Sequence, residues 1–429
     1  MKQNISKIHL NRIIFLYGII ASMPILTLFN FTFFTWFSLL IVVGIIINLF
    51  IEGKFYVSKT LKKYSVLFSL SIITVILCLN SSIFSTWKQI QGQNLLWEIV
   101  YFLIISYLTQ TRNERLRNDY FCGIYYGGIV QIFWGYLQFI IYKFFNLSLN
   151  DLVFNNLLHM STFTSIQSLN GSMKITGLCW NAGNFAPLLL FVLIFTNNFY
   201  IKVIALFLAL LSGSRTAILG VIVIVIIKVL DFVFKNKGIK TVAKKSRVIF
   251  FMFFIAIVFF VFVMYGDLFV SQLSIVLDYM HKTINPSSSN VLDSSRIIHT
   301  RYWTSLFFVA QQSGILHVLF GYGLGCSGYP FIKFFRQFGG TVKGTWVVEC
   351  DQVNFIWSHG IIYALYWYIL LIHAAIKSFR FDERYSIFII GIIIEGITYN
   401  VTFNWVFILM VLLLQNIYEQ KKFILKSTN

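Results

Sequence analysis

Apolar runs of about twenty residues recur from one end of this chain to the other, and each is long enough to cross the hydrocarbon core of a membrane. No water reaches backbone N–H and C=O groups inside that core, so a crossing run must close its own hydrogen bonds as a helix. Spans are expected near residues 12–29, 32–51, 64–83, 95–110, 120–143, 184–199, 201–213, 215–233, 248–265, 353–375, 386–399 and 402–418. That is about twelve, three of them shorter than a full crossing. The expected fold is all-α: a polytopic integral membrane protein, with residues 1–429 forming a single membrane domain. Only 11% of the residues are charged and the mean hydropathy is +0.78, too little charge to cover a separate soluble domain.

The net charge of +19 suggests a nucleic-acid partner until the basic residues are placed. With the N-terminus inside, the clusters Lys54/Lys59/Lys62/Lys63, Arg112/Arg115/Arg117, Lys235 to Arg247, Lys377/Arg380/Arg384 and Lys421/Lys422 all fall on the cytoplasmic side. About 24 of the 34 Lys and Arg residues do so, a positive-inside bias. The charge therefore sets topology, and no nucleic-acid partner is expected. The first apolar segment resembles a signal peptide, but the many spans after it argue for a retained helix. Cys78 and Cys122 lie in spans; Cys179, Cys326 and Cys350 map outside, where spacing alone does not decide whether Cys326 and Cys350 pair. No metal-ligand spacing occurs, and no metal or other cofactor is expected.

Two outward segments interrupt the short loops: a first outer loop at 146–183 and a large one at 266–350. The large loop and its end carry Asp267, Asp278, Asp293, Arg296, Arg301, Lys333, Arg336, Lys343, Glu349 and Asp351, a concentrated set in so apolar a chain. Its stretch Ile297 to Phe320 has the spacing of an amphipathic helix, preceded by the linker NPSSSN at 285–290. Ionisable residues deep in the spans are few, Glu395 and Glu98 among them, and no internal repeat is evident. Both features favour work done at the outer face.

Five constellations can carry chemistry. LSGSRTAILG (211–220) puts Arg215 at the outer end of a span, beside Ser214. A guanidinium at that depth can grip a phosphate through two parallel hydrogen bonds; equally, the segment can be a Ser-capped helix start with a snorkelling Arg. Arg296 and Arg301, followed by Tyr302 and Trp303, can add positive charge around a large anion, or simply meet lipid headgroups. GYGLG (321–325), with Tyr322 inside it, can cradle an anion with backbone N–H groups or serve as a helix C-terminal turn. VVECDQVNF (347–355) brings Glu349 and Asp351 to the outer mouth of a span, where a carboxylate can bind or deprotonate a sugar hydroxyl. His359 follows two turns into that span, where a hydrogen-bonded core histidine is the simpler reading. Finally, GLCWNAGNFAP (177–187) offers Asn181 and Asn184, which can orient a ligand or cap a helix.

Taken in order, GLCWNAGNFAP, SGSRTAILG, a basic inner loop, an outer loop with Arg296, Arg301 and Trp303, then GYGLG and ECDQVNF resemble the O-antigen polymerase and O-antigen ligase superfamily of bacterial envelope glycosyltransferases. The resemblance covers roughly residues 177–360; the N-terminal third matches only as a string of spans. It implies a GT-C-like architecture and a metal-independent glycosyltransferase in the bacterial inner membrane, with both termini cytoplasmic. The implied donor is an undecaprenyl-pyrophosphate-linked glycan, used at the periplasmic face. Membrane lipids and a chain-length regulator protein are implied partners. The resemblance assigns Arg215, then Arg296 and Arg301, to the donor's pyrophosphate; with Glu349 and Asp351 they are the expected catalytic residues, and Asn181, Asn184, Ser214, Trp303, Tyr322, Asn354 and His359 are the expected substrate-binding ones. Ligases commonly carry a histidine just before the Asn that opens the late span. Here Glu349-Cys350-Asp351-Gln352-Val353-Asn354 has none, which favours a polymerase over a ligase and leaves the general base open. A ligase joining polymer to lipid A core, and a flippase or other transporter of polyprenyl-linked saccharide, remain the alternatives.

Overall fold

The computed structural model describes residues 2–24, 26–28, 31–52, 57–79, 85–158, 175–179, 181–212, 214–235, 302–335, 348–402 and 404–422. Among the described residues the chain is all-α apart from one two-stranded ribbon, β1 (Thr27–Leu28) paired antiparallel with β2 (Phe31–Thr32). Among the described residues, four helices are long and apolar enough to cross a membrane: stretches Phe33–Ile51, Lys59–Cys78, Thr111–Phe145 and Ile361–Ser378. Several shorter apolar helices accompany them, as in a multi-pass membrane protein. The ninth expected span, 248–265, lies outside the described residues, as do Arg296, Arg301 and the NPSSSN linker.

The chain forms two units, 1–223 with 310–429, and 224–309. In the first, α1 (Lys2–Ala21), α2 (Phe33–Glu52), α3 (Lys59–Leu79), α4 (Ser85–Leu108) and α5 (Glu114–Phe145) precede α6 (Ala182–Phe195) and α7 (Phe199–Leu211). The helix α8 (Arg215–Lys235) runs from the first unit into the second, and α9 (Leu306–Gln312) from the second into the first. Then come α10 (Ile315–Phe320), α11 (Tyr329–Phe335), α12 (Asp351–His359), α13 (Ile361–Ser378), α14 (Glu383–Glu395) and α15 (Asn404–Glu419). Within the expected amphipathic stretch, the described part is broken into α9 and α10, because Gly314 starts a new helix rather than continuing the old one.

Backbone contact between α1 and α5 organises the first unit. A Cβ on Gly18 would collide with the Tyr120 carbonyl, and one on Gly123 with the Phe15 carbonyl. Small residues allow this approach, and Gly127 against Ser22 extends the seam by one turn. Side chains cap the later helices: Asn181 opens α6, Asn198 opens α7 and Asp382 opens α14. Near residue 360 the expected single span is two helices. Gly360, at φ +93°, separates α12 from α13 and lies against the Leu319 carbonyl where no Cβ fits.

Basic groups gather at one end of this bundle. Arg117, expected in a loop, is instead fully buried in α5. It donates to the Leu108 and Gln110 carbonyls at 3.0 and 2.8 Å, to Asn416 Oδ1 at 3.2 Å and to Glu419 Oε2 at 2.6 Å. Lys421 pairs with Glu114, and Lys63 and Lys377 both lie on the ring of Tyr418. The start of α3 and the ends of α13 and α15 therefore share one pole.

Candidate functional site

A cavity of about 370 Å³ lies toward the opposite end of the first unit. From Tyr363 at its wall to Lys377 at the basic pole is 14 residues of α13, or about 21 Å of helix. The cavity is built from the middle of α4, the glycine-rich turn, α12, the segment before α15 and the first turns of α13 and α15. Trp97, Tyr101, Phe355, Tyr363 and Phe407 give it aromatic walls. Its polar groups are Asn94, Glu98, Asn354, Ser358, His359, Asn400, Thr35 and Thr402.

Glu98 and His359 face each other across this space, with Glu98 Oε1 3.6 Å from His359 Nε2. That is too long for a direct hydrogen bond, and a hydroxyl lying to one side of the pair can reach both at hydrogen-bond distance. The other ring nitrogen, Nδ1, lies 2.7 Å from Ser358 Oγ. The single hydroxyl proton of Ser358 goes to the Asn354 carbonyl, so the serine oxygen accepts from Nδ1–H. In the neutral ring this leaves the Nε2 lone pair facing the cavity and Glu98. The ring is held between Phe355 and Tyr363, with centroids at 5.7 and 4.3 Å. Thr74 Oγ1 donates to the His359 carbonyl at 3.3 Å, tying α3 to the break at Gly360. Two side-chain acceptors, Asn354 Oδ1 and Asn400 Oδ1, are buried with no partner. Among the described lining residues there is no Lys or Arg.

The glycine turn at 321–325 is structural. The N–H of Tyr322 donates to the Trp357 carbonyl at 2.7 Å, and that of Gly323 to the Ser358 carbonyl at 3.2 Å, so these two donors hold the end of α12 rather than an anion. Gly321, Gly323 and Gly325 all have positive φ, which only glycine adopts without strain. Asn94 Nδ2 secures the turn by donating to the Leu324 carbonyl at 3.2 Å. The hydroxyl of Tyr322 bonds Ser313 Oγ at 2.7 Å and its ring stacks on His317, so it stands behind the cavity wall.

The remaining residues singled out from sequence are dispersed. Asp351 is buried, its carboxylate accepting from the Thr402 N–H at 2.9 and 3.1 Å, and it thereby positions the segment that brings Asn400 and Thr402 to the cavity. Glu349 is half-buried beside it in sequence; loss of solvation raises its carboxyl above the usual carboxylate range. Asn181 accepts from the Asn184 N–H at 2.8 Å and donates to the Tyr399 hydroxyl, so it is a helix cap with a second tie to the 396–402 segment. Asn184 is buried in the first turn of α6. Ser214 accepts from the Ala217 N–H at 3.4 Å, capping α8, whose first residue is Arg215. Trp303 belongs to the second unit. The cavity thus unites Asn354 and His359 with Glu98, Asn400 and Thr402. Glu98 carried a legible signal, an ionisable residue inside an apolar helix. Asn400 and Thr402 carried none.

No protein-family model matches the chain, and no curated protein matches it either.

Proposed function

We propose that the chain is a membrane-embedded glycosyltransferase that polymerises undecaprenyl-pyrophosphate-linked oligosaccharide units into a surface polysaccharide of O-antigen or capsule type. The observation that carries this reading is the cavity in which Glu98, His359, Asn354 and Asn400 present acceptors among aromatic walls. A ligand that fits must supply hydrogen-bond donors and apolar faces and carry little negative charge. A neutral sugar does so. Positive-inside orientation puts the basic pole in the cytoplasm and the cavity in the outer half of the membrane, where lipid-linked glycans present their sugars.

In the proposed reaction, an acceptor sugar hydroxyl lies beside the Glu98–His359 pair and bridges the two. His359 Nε2 takes its proton while Glu98 stabilises the imidazolium that forms. The hydroxyl oxygen bonds to the anomeric carbon of a second unit, and the bond from that carbon to pyrophosphate breaks. The departing undecaprenyl pyrophosphate gathers negative charge, which the resemblance assigns to Arg215, Arg296 and Arg301. Asp351 acts in this scheme by positioning the cavity wall.

The test is the length of surface polysaccharide on a gel, from cells lacking the gene and cells restored with wild type, Glu98→Gln, His359→Ala or Arg215→Ala at equal membrane levels. Deletion should leave single repeats, and wild type should restore long chains. Each variant should lower polymer output by about 100-fold or more, the usual contribution of a general base or a charge-stabilising group. Long chains detached from lipid A core on deletion would instead establish a ligase. Unchanged glycan would sink both enzyme readings. One observation favours the transporter alternative: Glu395 is fully buried with neither carboxylate oxygen hydrogen-bonded, the kind of intramembrane charge that ion-coupled carriers use. Unpolymerised units accumulating on the cytoplasmic side after deletion would decide for it.

A further inference from the structure

At the basic pole three cations have acidic partners. Arg117 pairs with Glu419, Lys421 with Glu114, and Arg384 with Asp382 at 2.7 Å. Lys63 and Lys377 have no carboxylate partner among the described residues, and both converge on one side chain. The Nζ of Lys63 lies 4.0 Å from the ring centroid of Tyr418, and that of Lys377 lies 5.1 Å from it. His373, one turn before Lys377, stacks on the same ring at 6.2 Å. The nearest acid in sequence, Glu419, is engaged by Arg117 and Gln415. A ring face draws each ammonium group but does nothing to offset the repulsion between the two.

Below the lysines, a narrow cleft between α3, α13 and α15 is lined by Thr60, Leu67, Leu370, Val411 and Leu414. The hydroxyls of Thr60 and Tyr418 are buried there without partners, and Thr60 is only 1% exposed. The cleft measures about 10 Å³, enough for one water. A large anion must therefore sit at its mouth, on the lysines. Beside the mouth, α13 presents Ile369, Ile372 and Ile376, all more than half exposed, an apolar face suited to acyl chains.

We propose that Lys63, Lys377 and Tyr418 form a seat for the phosphate of an anionic phospholipid at the basic end of the bundle. Two ammonium groups straddle the phosphate, the unpartnered hydroxyls complete its shell directly or through one water, and the acyl chains run along the isoleucine face of α13. Free phosphate offers the same charge but makes no use of that face. This seat is independent of the glycan cavity about 21 Å away along α13.

The experiment compares full-length protein purified in detergent and titrated with phosphatidylglycerol, phosphatidylcholine or inorganic phosphate, with binding read by native mass spectrometry and melting temperature. Phosphatidylglycerol should bind and raise the melting temperature, and phosphatidylcholine should do neither. The double variant Lys63→Gln/Lys377→Gln should lose about 30-fold in affinity, as two interfacial cations would contribute. Lys62→Gln, an exposed lysine on the same helix, should bind as wild type does. A wild-type readout guards against a misfolded double variant: acetylation of Lys63 and Lys377 should slow in phosphatidylglycerol vesicles relative to phosphatidylcholine vesicles, and slow more than at Lys62. Equal acetylation in both vesicles, equal loss in Lys62→Gln, or inorganic phosphate binding as tightly as the lipid would each overturn the proposal.

Discussion

Arg117 is the residue whose environment differs most from its sequence setting. Between Arg112 and Lys143 it reads as one more positive-inside cation, yet its side chain is 0% exposed and its guanidinium donates to four protein acceptors. Truncating one member of a buried pair strands the other, so Arg117→Ala should cost about 3–5 kcal/mol, seen as a lower unfolding temperature in detergent. Replacing Lys62, which is exposed, should be close to neutral. Glu349 makes a prediction of opposite sign. Burial holds its carboxyl above the value of an unfolded chain, about 4.3. As pH rises through that unfolded value, the unfolded state ionises first and gains; the penalty on the folded state is complete once pH passes the raised folded value. Glu349→Gln should therefore raise the melting temperature at neutral pH, and the gain should vanish near pH 4.

Among the elements, helix existence follows from apolar periodicity, while helix ends and crossings follow from small and polar residues. The Gly123-Ile124-Tyr125-Tyr126-Gly127 spacing of α5 is readable as a close-packing face, and Gly18 on α1 is what it meets. Gly123→Leu should separate α1 from α5 and sharply lower the yield of folded protein, measured as the monodisperse fraction on gel filtration. Gly92, with nothing near its Cβ position, should accept Ala with little change. The break at Gly360 belongs to this scale too. It turns an expected continuous span into two helices, and the carbonyl of His359 freed there is taken by Thr74. Nothing in the apolar pattern of 353–375 marks that break except the glycine itself.

For the whole molecule, the cavity and the basic pole lie at different depths, and topology should follow. On the proposed orientation, a single cysteine placed at exposed Lys62 should react with impermeant reagent only after the membrane is opened. A cysteine at Leu157, exposed in the π-helical turn at Asp151–Leu157 of the expected first outer loop, should on the proposed orientation react in cells with an intact membrane. Reaction of both under the same condition would refute the assigned orientation.

The sequence by itself determined the all-α membrane class, most helix positions and the segregation of basic residues, and left open whether Asn181 and the serines before Arg215 cap helices or meet a ligand. All are local properties, set by hydropathy over one turn or one span. It also marked His359 and Asn354 as candidates, and Glu98 as an ionisable residue in a span. Only the tertiary structure decided that these three share a cavity, that Asp351 holds the segment carrying Asn400 and Thr402, and that the glycine turn grips α12. Glu98 and His359 are 261 positions apart, and no local pattern encodes a meeting at that separation. It is made by α3, α4, α12 and α13 coming together, through glycine contacts and buried hydrogen bonds whose partners are named only once the chain is folded.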